Sequence, residues 1–256
     1  MSNNSLYPDI LFHFTKKKLL YEILKTNFKL SYAREKIIAP SNNREFAVPM
    51  VSFCDLKLSE LKSFIKKYGD FGIGMSKSWA NRNGLNPVLY VNRHCDLTDN
   101  LITGLNGVYH HLSKLNNQAQ HNNLSQSYLN IMNTYRYIKN YEGELKRDGK
   151  IIDSNYRFAD EREWRYVPSI INVDVQAFIP ITKIKTSQQK QFYNNKIKHL
   201  SLSFHPDDIK YLIVEKDSDI SELIDHLEAV KGRYNKETRN ILASRILTVS
   251  QINNDI

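Results

Sequence analysis

Two glutamates separated by one residue are the clearest chemical signal in this sequence. They lie in the run Ala-Asp-Glu-Arg-Glu-Trp-Arg-Tyr, which begins at residue 159. If this run is a β-strand, alternate side chains share a face, so Glu161, Glu163 and Arg165 point to one side. The rings of Trp164 and Tyr166 then pack on a core from the other side. The pattern predicts a strand that aims two carboxylates rigidly into a cleft.

A histidine near the amino end is a second candidate group. Leu11–Phe14 predicts a first strand, and Thr15 offers an N-cap for a helix from Lys16 to about Thr26. At the end of this strand, His13 could bind a ribose hydroxyl, and Thr15 could bind through its hydroxyl or its backbone. The alternative is a core histidine beside an ordinary helix cap.

Several other chemistries lack their motifs. The sequence has no GxxxxGK[ST] phosphate loop, no GxGxxG after a predicted strand and no HExxH. His110, His111 and His121 do not indicate a metal site, because adjacent histidines point to different sides of a helix and no carboxylate or cysteine completes the set. A nuclease would need acidic ligands for Mg²⁺, and the run His-Pro-Asp-Asp at 205–208 is its best candidate, although it is more typical of a turn. We expect no metal cofactor.

The composition is that of a folded globular protein, with 256 residues, 41% of them hydrophobic and 25% charged. The sequence contains no run of about 18 apolar residues, so it predicts no membrane-spanning helix. No secretory signal is visible. Cys54 and Cys95 form no CxxC pair, so we expect a reducing cytoplasm. The net charge of +9 favours RNA or DNA as a partner, but it also fits a soluble protein whose lysines are solvated.

Hydrophobic periodicity predicts both strands and helices. Residues 34–47 are polar and predict a loop. The run from Asp219 to Val230 predicts a helix in which Asp219 and Glu222 form a capping box. Further strands are predicted at Met50–Cys54, Phe71–Met75, Val88–Val91, Glu161–Val167, Ala177–Ile184, Ile209–Val214 and Ile241–Val249, and a further helix at Leu56–Lys67.

Residues 100–145 have a distinct composition, rich in Asn, Gln, His and Tyr with scattered Leu. They predict a helical insertion, not an independent domain. No internal repeat and no Pro- or Ser-rich linker divides the chain. We therefore predict a single α+β domain spanning residues 1–256.

Five short motifs follow one another along the chain. They are Leu11-Phe12-His13-Phe14-Thr15, Pro49-Met50-Val51-Ser52-Phe53-Cys54-Asp55, Tyr68-Gly69-Asp70-Phe71-Gly72-Ile73-Gly74, Asn86-Pro87-Val88-Leu89-Tyr90 and Asp160-Glu161-Arg162-Glu163-Trp164-Arg165-Tyr166. In this order they resemble the AbiGi family of bacterial abortive-infection proteins, over roughly residues 11–168 with a weaker match to the end. The resemblance implies phage defence and a toxin–antitoxin pairing in which AbiGi-type proteins have been labelled the antitoxin.

The order of motifs also resembles, more distantly, the ADP-ribosyltransferases. That resemblance implies a split mixed β-sheet that holds NAD in a cleft. One branch has His-x-Thr on its first strand to orient the adenosine ribose, similar to His13 and Thr15. Several branches end with Glu or Glu-x-Glu on a late strand, similar to Glu161 and Glu163. Branches with Glu-x-Glu usually start with Arg and carry Ser-Thr-Ser on the middle strand, where this chain has Val-Ser-Phe, so the branch stays open.

The first hypothesis is therefore an ADP-ribosyltransferase with NAD as donor. Glu163 would bind the nicotinamide ribose 2′-hydroxyl and stabilise developing positive charge, and Glu161 would orient or deprotonate the acceptor. Arg165 would keep the carboxylates ionised. The charge favours a nucleic acid, such as RNA, as acceptor, with protein acceptors still open. The other residues expected to contact NAD are His13, Phe14, Thr15, Ser52, Tyr68 and Phe71, of which the last two could stack on nicotinamide.

The second hypothesis is a protein without enzymatic activity, an antitoxin or a nucleic-acid-binding regulator. The basic charge and segment 100–145 would then bind the partner, and Glu161, Glu163 and Arg165 would form a structural ion-pair row. A cognate toxin or antitoxin partner fits either hypothesis, and neither requires a membrane. The transferase hypothesis requires His13 and Glu163 to line one pocket.

Overall fold

The computed structural model describes residues 8–147, 150–169, 175–232 and 234–255. Its elements form a mixed α+β architecture, which confirms the α+β part of the predicted fold class. The strands are β1 Ile10–Thr15, β2 Phe28–Lys29, β3 Ser31–Ile38, β4 Asn43–Cys54, β5 Phe71–Ser76, β6 Asn86–Pro87, β7 Leu89–Val91, β8 Ile138–Asn140, β9 Gly143–Arg147, β10 Lys150–Tyr156, β11 Glu163–Tyr166, β12 Ile179–Pro180, β13 Ser201–Leu202, β14 Ile209–Val214 and β15 Ile246–Thr248.

Helices lie between these strands, and short 3₁₀ turns join several of them. No helix of the described ranges is long and apolar enough to cross a bilayer. The helices are α1 Lys17–Thr26, α2 Lys62–Tyr68, α3 Lys77–Arg82, α4 Leu97–Leu112, α5 Gln118–Asn133, α6 Ser187–Lys196, α7 Ser218–Lys231, α8 Lys236–Ala243 and α9 Val249–Asp255, and the 3₁₀ turns are Leu58–Glu60, Thr134–Tyr137, Phe158–Glu161, Ile181–Lys183 and Pro206–Asp208.

The main sheet has the strand order β15-β14-β5-β1-β4-β11-β6, and β3 and β12 also pair with β4. It is mixed, because β14 and β15 are parallel while β1 is antiparallel to both of its neighbours. β1 pairs with β5 along its whole length, from Ile10 opposite Ser76 to Thr15 opposite Phe71. Between β1 and β4, the register within the described residues consists of Phe12 opposite Cys54. The two strands therefore diverge, and the sheet opens between them.

Both faces of the central strands are buried, as the apolar run of β1 requires. Leu11 belongs to the large core with Phe53 and Trp79 on one face. Phe12 and Phe14 belong to a second core on the other face, which includes residues of α2. A third cluster packs α4 against β3 and β4. This packing fixes β1, β4 and β11 as a rigid platform.

The predicted loop at residues 34–47 is wrong. These residues form most of a long hairpin, in which β3 and β4 pair from Ser31 opposite Met50 to Ile38 opposite Asn43. β3 buries Tyr32 and Ile37, and the polar Arg34, Glu35 and Lys36 lie between them. An antiparallel strand with one wet face needs few apolar residues, so its polar composition misled the prediction.

Two predicted helix caps are also wrong. Thr15 is the buried last residue of β1, and Lys16 takes the N-cap position of α1 without a side-chain hydrogen bond. The helix α7 begins at Ser218, one residue before the predicted capping box. Asp219 instead accepts a hydrogen bond from Lys17 Nζ at 2.8 Å, which joins α7 to α1.

Three predicted segments differ from the structure in extent. Ile241–Val249 contains the end of α8, which begins after its N-cap Asn235, and only the short strand β15. Asn235 accepts a hydrogen bond from the Thr238 N–H at 2.8 Å. The strand predicted at Ala177–Ile184 is much shorter in the structure, where β12 has two residues and is followed by a 3₁₀ turn. Within residues 100–145, α4 and α5 are helical as predicted, but β8 and the start of β9 are strands.

Among the glycines that the structure describes, Gly69 should be the most sensitive to substitution. Its φ of 124° lies in a region that essentially only glycine adopts, and an added Cβ would lie 2.3 Å from the Thr15 backbone oxygen. We expect Gly69→Ala to lower the free energy of unfolding by at least about 2 kcal/mol, measured by denaturant unfolding.

Gly84→Ala is the matched control. Gly84 has a φ of 69°, with nothing within 4 Å of an added Cβ, so this variant should pay only the cost of the left-handed backbone, about 1–2 kcal/mol. Equal losses for the two variants would show that the contact with Thr15 does not constrain the chain.

Candidate functional site

The Glu-x-Glu motif does not lie on one continuous strand. Glu161 ends the 3₁₀ turn Phe158–Glu161, and Arg162 adopts a left-handed conformation with φ 45°. β11 then begins at Glu163. The prediction of a strand through Glu161 is therefore wrong, because the left-handed residue breaks the alternation. The turn nevertheless directs the Glu161 carboxylate to the same side as Glu163, where both meet one lysine.

Glu163 is 5% exposed, and its carboxylate has a protein donor at each of its acceptor positions. Its Oε1 accepts from Ser52 Oγ at 2.8 Å and from Arg165 Nε at 2.7 Å. Its Oε2 accepts from Lys139 Nζ at 2.8 Å and from Arg165 Nη2 at 3.1 Å. Since each carboxylate oxygen has two lone pairs, these four bonds occupy the whole group.

Glu161 is equally buried, with 4% exposure, but its carboxylate has fewer donors. Tyr68 donates its hydroxyl to Oε1, and Lys139 Nζ donates to Oε2 at 2.9 Å. The Lys139 ammonium therefore bridges both glutamates. It also lies 4.8 Å from the centre of the Phe158 ring. Burial and Glu161 raise the pKa of Tyr156, whose hydroxyl is a third donor beside this carboxylate, so Glu161 has one donor fewer than Glu163.

Arg165 is completely buried behind Glu163. Besides its two bonds to Glu163, its Nη2 lies 3.2 Å from Glu35 Oε1, and its Nη1 donates to the Arg136 backbone oxygen at 3.0 Å. Three carboxylates, Glu35, Glu161 and Glu163, thus surround two cations. With all five groups ionised, the cluster has one negative charge in excess, which favours a positively charged ligand or transition state.

The charges of the cluster depend on one another. Burial alone would favour neutral Glu163, but Arg165 and Lys139 outweigh burial and hold the pKa of Glu163 well below its usual range. Burial opposes the charge of Lys139, yet Glu163, Glu161 and Glu35 raise its pKa well above the ordinary value. The pKa of Arg165 is raised in the same way, chiefly by Glu163 and Glu35. Glu163, Lys139 and Arg165 are therefore charged at neutral pH.

His13 reaches the cluster through Ser52. Its Nδ1 lies 2.8 Å from the Ser52 backbone oxygen, and because a carbonyl only accepts, Nδ1 carries the proton. Burial lowers the pKa of His13, which leaves a neutral imidazole whose Nε2 is an acceptor. Phe28 and Phe53 hold the ring, with centroids 5.5 and 5.6 Å away. Ser52 thus binds His13 with its carbonyl and Glu163 with its hydroxyl.

A cleft of about 1230 Å³ opens beside the cluster. It brings together residues from β1, β4, α2, β8 and β11, including both ends of the predicted site. Of the residues predicted from the sequence, those that line the cleft are His13, Phe14, Ser52, Tyr68, Glu161 and Glu163.

Three predicted residues stand apart from this lining in the described chain. Thr15 and Phe71 are buried opposite each other on β1 and β5, so contacts between them and NAD have no support in this arrangement. Arg165 lies behind Glu163 and acts through it. Tyr68 lines the cleft, but one face of its ring stacks on Phe64 at a centroid distance of 4.4 Å.

Sequence analysis missed Lys139, Glu35 and Tyr90. Lys139 lies on the short β8, inside the segment interpreted as a helical insertion, and Glu35 lies in the supposed loop. Tyr90 accepts a hydrogen bond from the Glu163 N–H at 2.8 Å, and burial raises its pKa. Tyr90 belongs to a motif quoted from the sequence. Nothing in the local sequence distinguishes Lys139 from the other lysines of the chain.

The structure does not bring the candidate metal-binding side chains of its described residues together into a metal site. Within the described ranges, no group of three or more His, Cys, Asp or Glu side chains is arranged to hold a metal ion. The run at 205–208 forms a 3₁₀ turn in which the His205 N–H donates to Asp208 Oδ2 at 2.9 Å, and Asp208 pairs with Arg82 at 2.7 Å. These contacts are those of a structural turn.

The fold and site define an α+β protein with a buried charged cluster at the side of a large cleft. A family model described as "Putative abortive phage resistance protein AbiGi, antitoxin" matches residues 22–215. The chain is also 28% identical over 228 residues to the "Abortive phage resistance protein AbiGi" of Lactococcus lactis subsp. cremoris, covering 83% of this chain and 90% of the relative. No solved structure matches.

The protein therefore belongs to the AbiGi family of abortive phage resistance proteins, and the resemblance seen in the sequence is confirmed. Family membership supports a role in phage defence.

Removal of Lys139 should test the bridge between the two glutamates. Lys139→Met leaves two buried carboxylates without their shared cation, so we expect a loss of about 3–5 kcal/mol in the free energy of unfolding at neutral pH. The folded-state pKa of Glu163 is lowered, so its stabilisation is present above the unfolded pKa of about 4.3 and is lost as pH falls. The variant's carboxylates take up protons more readily, so the gap to wild type should narrow on acidification.

Lys146→Met is the control for this experiment. Lys146 pairs with Glu144 at 2.8 Å, but both side chains are about half exposed, so water screens the pair and stability should change little. Denaturant unfolding between neutral and acidic pH measures both variants. A gap between Lys139→Met and wild type that stays constant with pH would contradict the assigned coupling.

Proposed function

We propose that this protein transfers ADP-ribose from NAD to an acceptor during phage defence. The observation that supports this most is the pair of buried carboxylates Glu161 and Glu163, joined by Lys139, beside a cleft large enough for a dinucleotide. The open junction between β1 and β4, with His13 on its wall, agrees with the split sheet expected from the sequence resemblance. The proposal concerns chemistry that family membership leaves open.

The reaction breaks the bond between C1′ of the nicotinamide ribose and the ring nitrogen. Nicotinamide leaves with the bonding electron pair, and positive charge develops on the ribose, as in glycoside cleavage. The negative excess of the cluster stabilises that charge. A nucleophile of the acceptor then bonds to C1′ and loses its proton to Glu161, whose carboxylate has acceptor capacity left.

Glu163 must exchange a partner to bind the ribose 2′-hydroxyl. Lys139 and Arg165 carry positive charges that attract the carboxylate, whereas Ser52 is an uncharged donor. Because a neutral hydroxyl lacks the Coulomb attraction of an ion pair, the Ser52 hydroxyl is the partner that a ribose hydroxyl replaces most easily. Such a replacement keeps both cations in place and leaves Glu163 ionised.

His13 would position the second ribose. The neutral ring offers Nε2 as an acceptor for a ribose hydroxyl, while Nδ1 is held by Ser52. The net charge of +9 favours a nucleic-acid acceptor, with RNA as the first candidate. A cognate toxin or antitoxin partner in the cell agrees with the family description.

Glu163→Gln should lower ADP-ribose transfer by roughly a hundredfold or more, because one preorganised electrostatic contact is worth about 2.7–4 kcal/mol in the transition state. The fold should persist, since Lys139 keeps Glu161 and Arg165 keeps Glu35 as partners. Transfer of label from radiolabelled NAD to cell extract measures the effect.

Glu144→Gln provides the matched control, because Glu144 lines the same cleft but is about half exposed and pairs with Lys146. It should transfer label like wild type. Equal label transfer by Glu163→Gln and wild type would remove Glu163 from the mechanism. Circular dichroism of both variants checks that the fold is intact.

A second candidate function is that of an antitoxin that acts by binding alone. Two observations favour it: the family description contains the word antitoxin, and every acceptor position of the Glu163 carboxylate is filled by a protein group. In that case the cluster is a structural ion network that fixes β8 against β11.

Growth of bacteria that express the gene distinguishes the two functions. We expect the transferase to arrest growth when expressed alone, and Glu163→Gln to relieve the arrest. An antitoxin would be harmless alone and would rescue cells from the toxicity of a neighbouring gene. Harmless expression combined with rescue by both wild type and Glu163→Gln would refute the transferase proposal.

A further inference from the structure

A second set of side chains in the cleft is basic. Arg34 on β3 and Lys190 on α6 line it, together with the polar residues Ser187 and Gln191. None of these residues takes part in the glutamate cluster, and none was singled out in the sequence. They therefore form a separate group of basic and polar side chains in the cleft.

Arg34 and Lys190 are unbalanced cations. The other basic residues of the lining have acidic partners, since Lys36 lies 3.3 Å from Glu45 and Lys146 lies 2.8 Å from Glu144. Across the described residues, neither Arg34 nor Lys190 has a carboxylate within ion-pair distance. Lys190 is only partly exposed, and burial together with the nearby Arg34 lowers its pKa. Two like charges in one cleft are unfavourable until an anion joins them.

Backbone carbonyl groups at the start of α6 hold the guanidinium group of Arg34. Its Nη2 donates to the Lys185 backbone oxygen at 2.7 Å and lies 3.4 Å from that of Thr186, which is the N-cap residue of the helix. This anchoring leaves other guanidinium N–H groups for a ligand. Ser187, the first residue of α6, adds a hydroxyl, and the helix N-terminus adds a partial positive charge. The donors thus surround one region of the cleft wall.

We propose that Arg34 and Lys190 form a binding subsite for a phosphate group of a nucleotide. A phosphate supplies the missing negative charge and accepts hydrogen bonds from the guanidinium, the ammonium and the Ser187 hydroxyl. The cleft of about 1230 Å³ is far larger than a lone phosphate requires, which favours a nucleotide. The subsite stands on these cations and on the cleft, whether or not Glu163 takes part in a transfer reaction.

Calorimetric titration of the full chain with ADP tests the subsite. ADP has no nicotinamide, so its binding does not depend on the proposed transfer chemistry. We expect Arg34→Gln and Lys190→Gln each to weaken ADP binding about tenfold or more, since hydrogen bonds to charged groups are the stronger class. Lys190→Arg should retain most of the affinity because it keeps the charge.

Lys196→Gln is the matched control, because it removes the same charge from an exposed position of α6 that does not contribute to the lining. A second titration with single-stranded RNA identifies the source of the phosphate. If RNA binding falls in the two variants while ADP binds neither variant nor wild type, the phosphate belongs to a polynucleotide and the subsite stands.

Affinities for both ligands that are unchanged by Arg34→Gln and Lys190→Gln would overturn the proposal, as would an equal loss in Lys196→Gln. Absence of binding of either ligand to wild type would overturn it as well. Failure of the transferase proposal is distinguishable, because it appears as absent label transfer while ADP or RNA still binds through Arg34 and Lys190.

Discussion

The bridge that Lys139 makes between Glu161 and Glu163 is the interaction on which the rest of the site depends. Two buried carboxylates side by side repel each other, and one would ordinarily take up a proton. One ammonium at 2.9 and 2.8 Å from the two groups offsets this repulsion, and together with Arg165 it keeps Glu163 ionised. The burial of these charges costs free energy that only such close geometry offsets. The buried carboxylate can therefore stay charged only while Lys139 and Arg165 are held in these positions.

The packing of the sheet provides that accuracy. β4 is the shared element, because it pairs with β1, β3, β11 and β12. Glu163 lies opposite Cys54 and Arg165 opposite Ser52, so the register of β4 and β11 sets the position of both side chains. β4 diverges from β1 beyond Phe12, and this divergence creates the cleft. The same strand therefore fixes the charged groups and opens the space beside them.

The sequence predicted those parts of the protein in which local pattern decides structure. Apolar runs identified β1, β5 and β14, and the spacing of polar groups singled out His13, Ser52, Glu161 and Glu163. The hairpin of β3 and β4 was missed because pairing, not hydrophobicity, stabilises its polar half.

Lys139 and Glu35 could not be identified from the sequence, because their importance comes from neighbours that are distant along the chain. The left-handed Arg162 was missed for a related reason. Only the surrounding contacts, including its ion pair with Glu60 at 3.0 Å, favour that conformation in a non-glycine residue.

The separation of Glu35, Lys139 and Glu163 along the chain has a consequence for biosynthesis. Each residue comes from a different segment, so the network cannot close until β11 has emerged from the ribosome and docked on β4. Contacts of such long sequence separation form slowly because the intervening loops must first be ordered. A nascent or truncated chain that ends between residues 139 and 163 contains the lysine but lacks Glu163, its main counter-charge. We therefore expect the cleft to assemble, and its buried charges to be neutralised, together and late in folding.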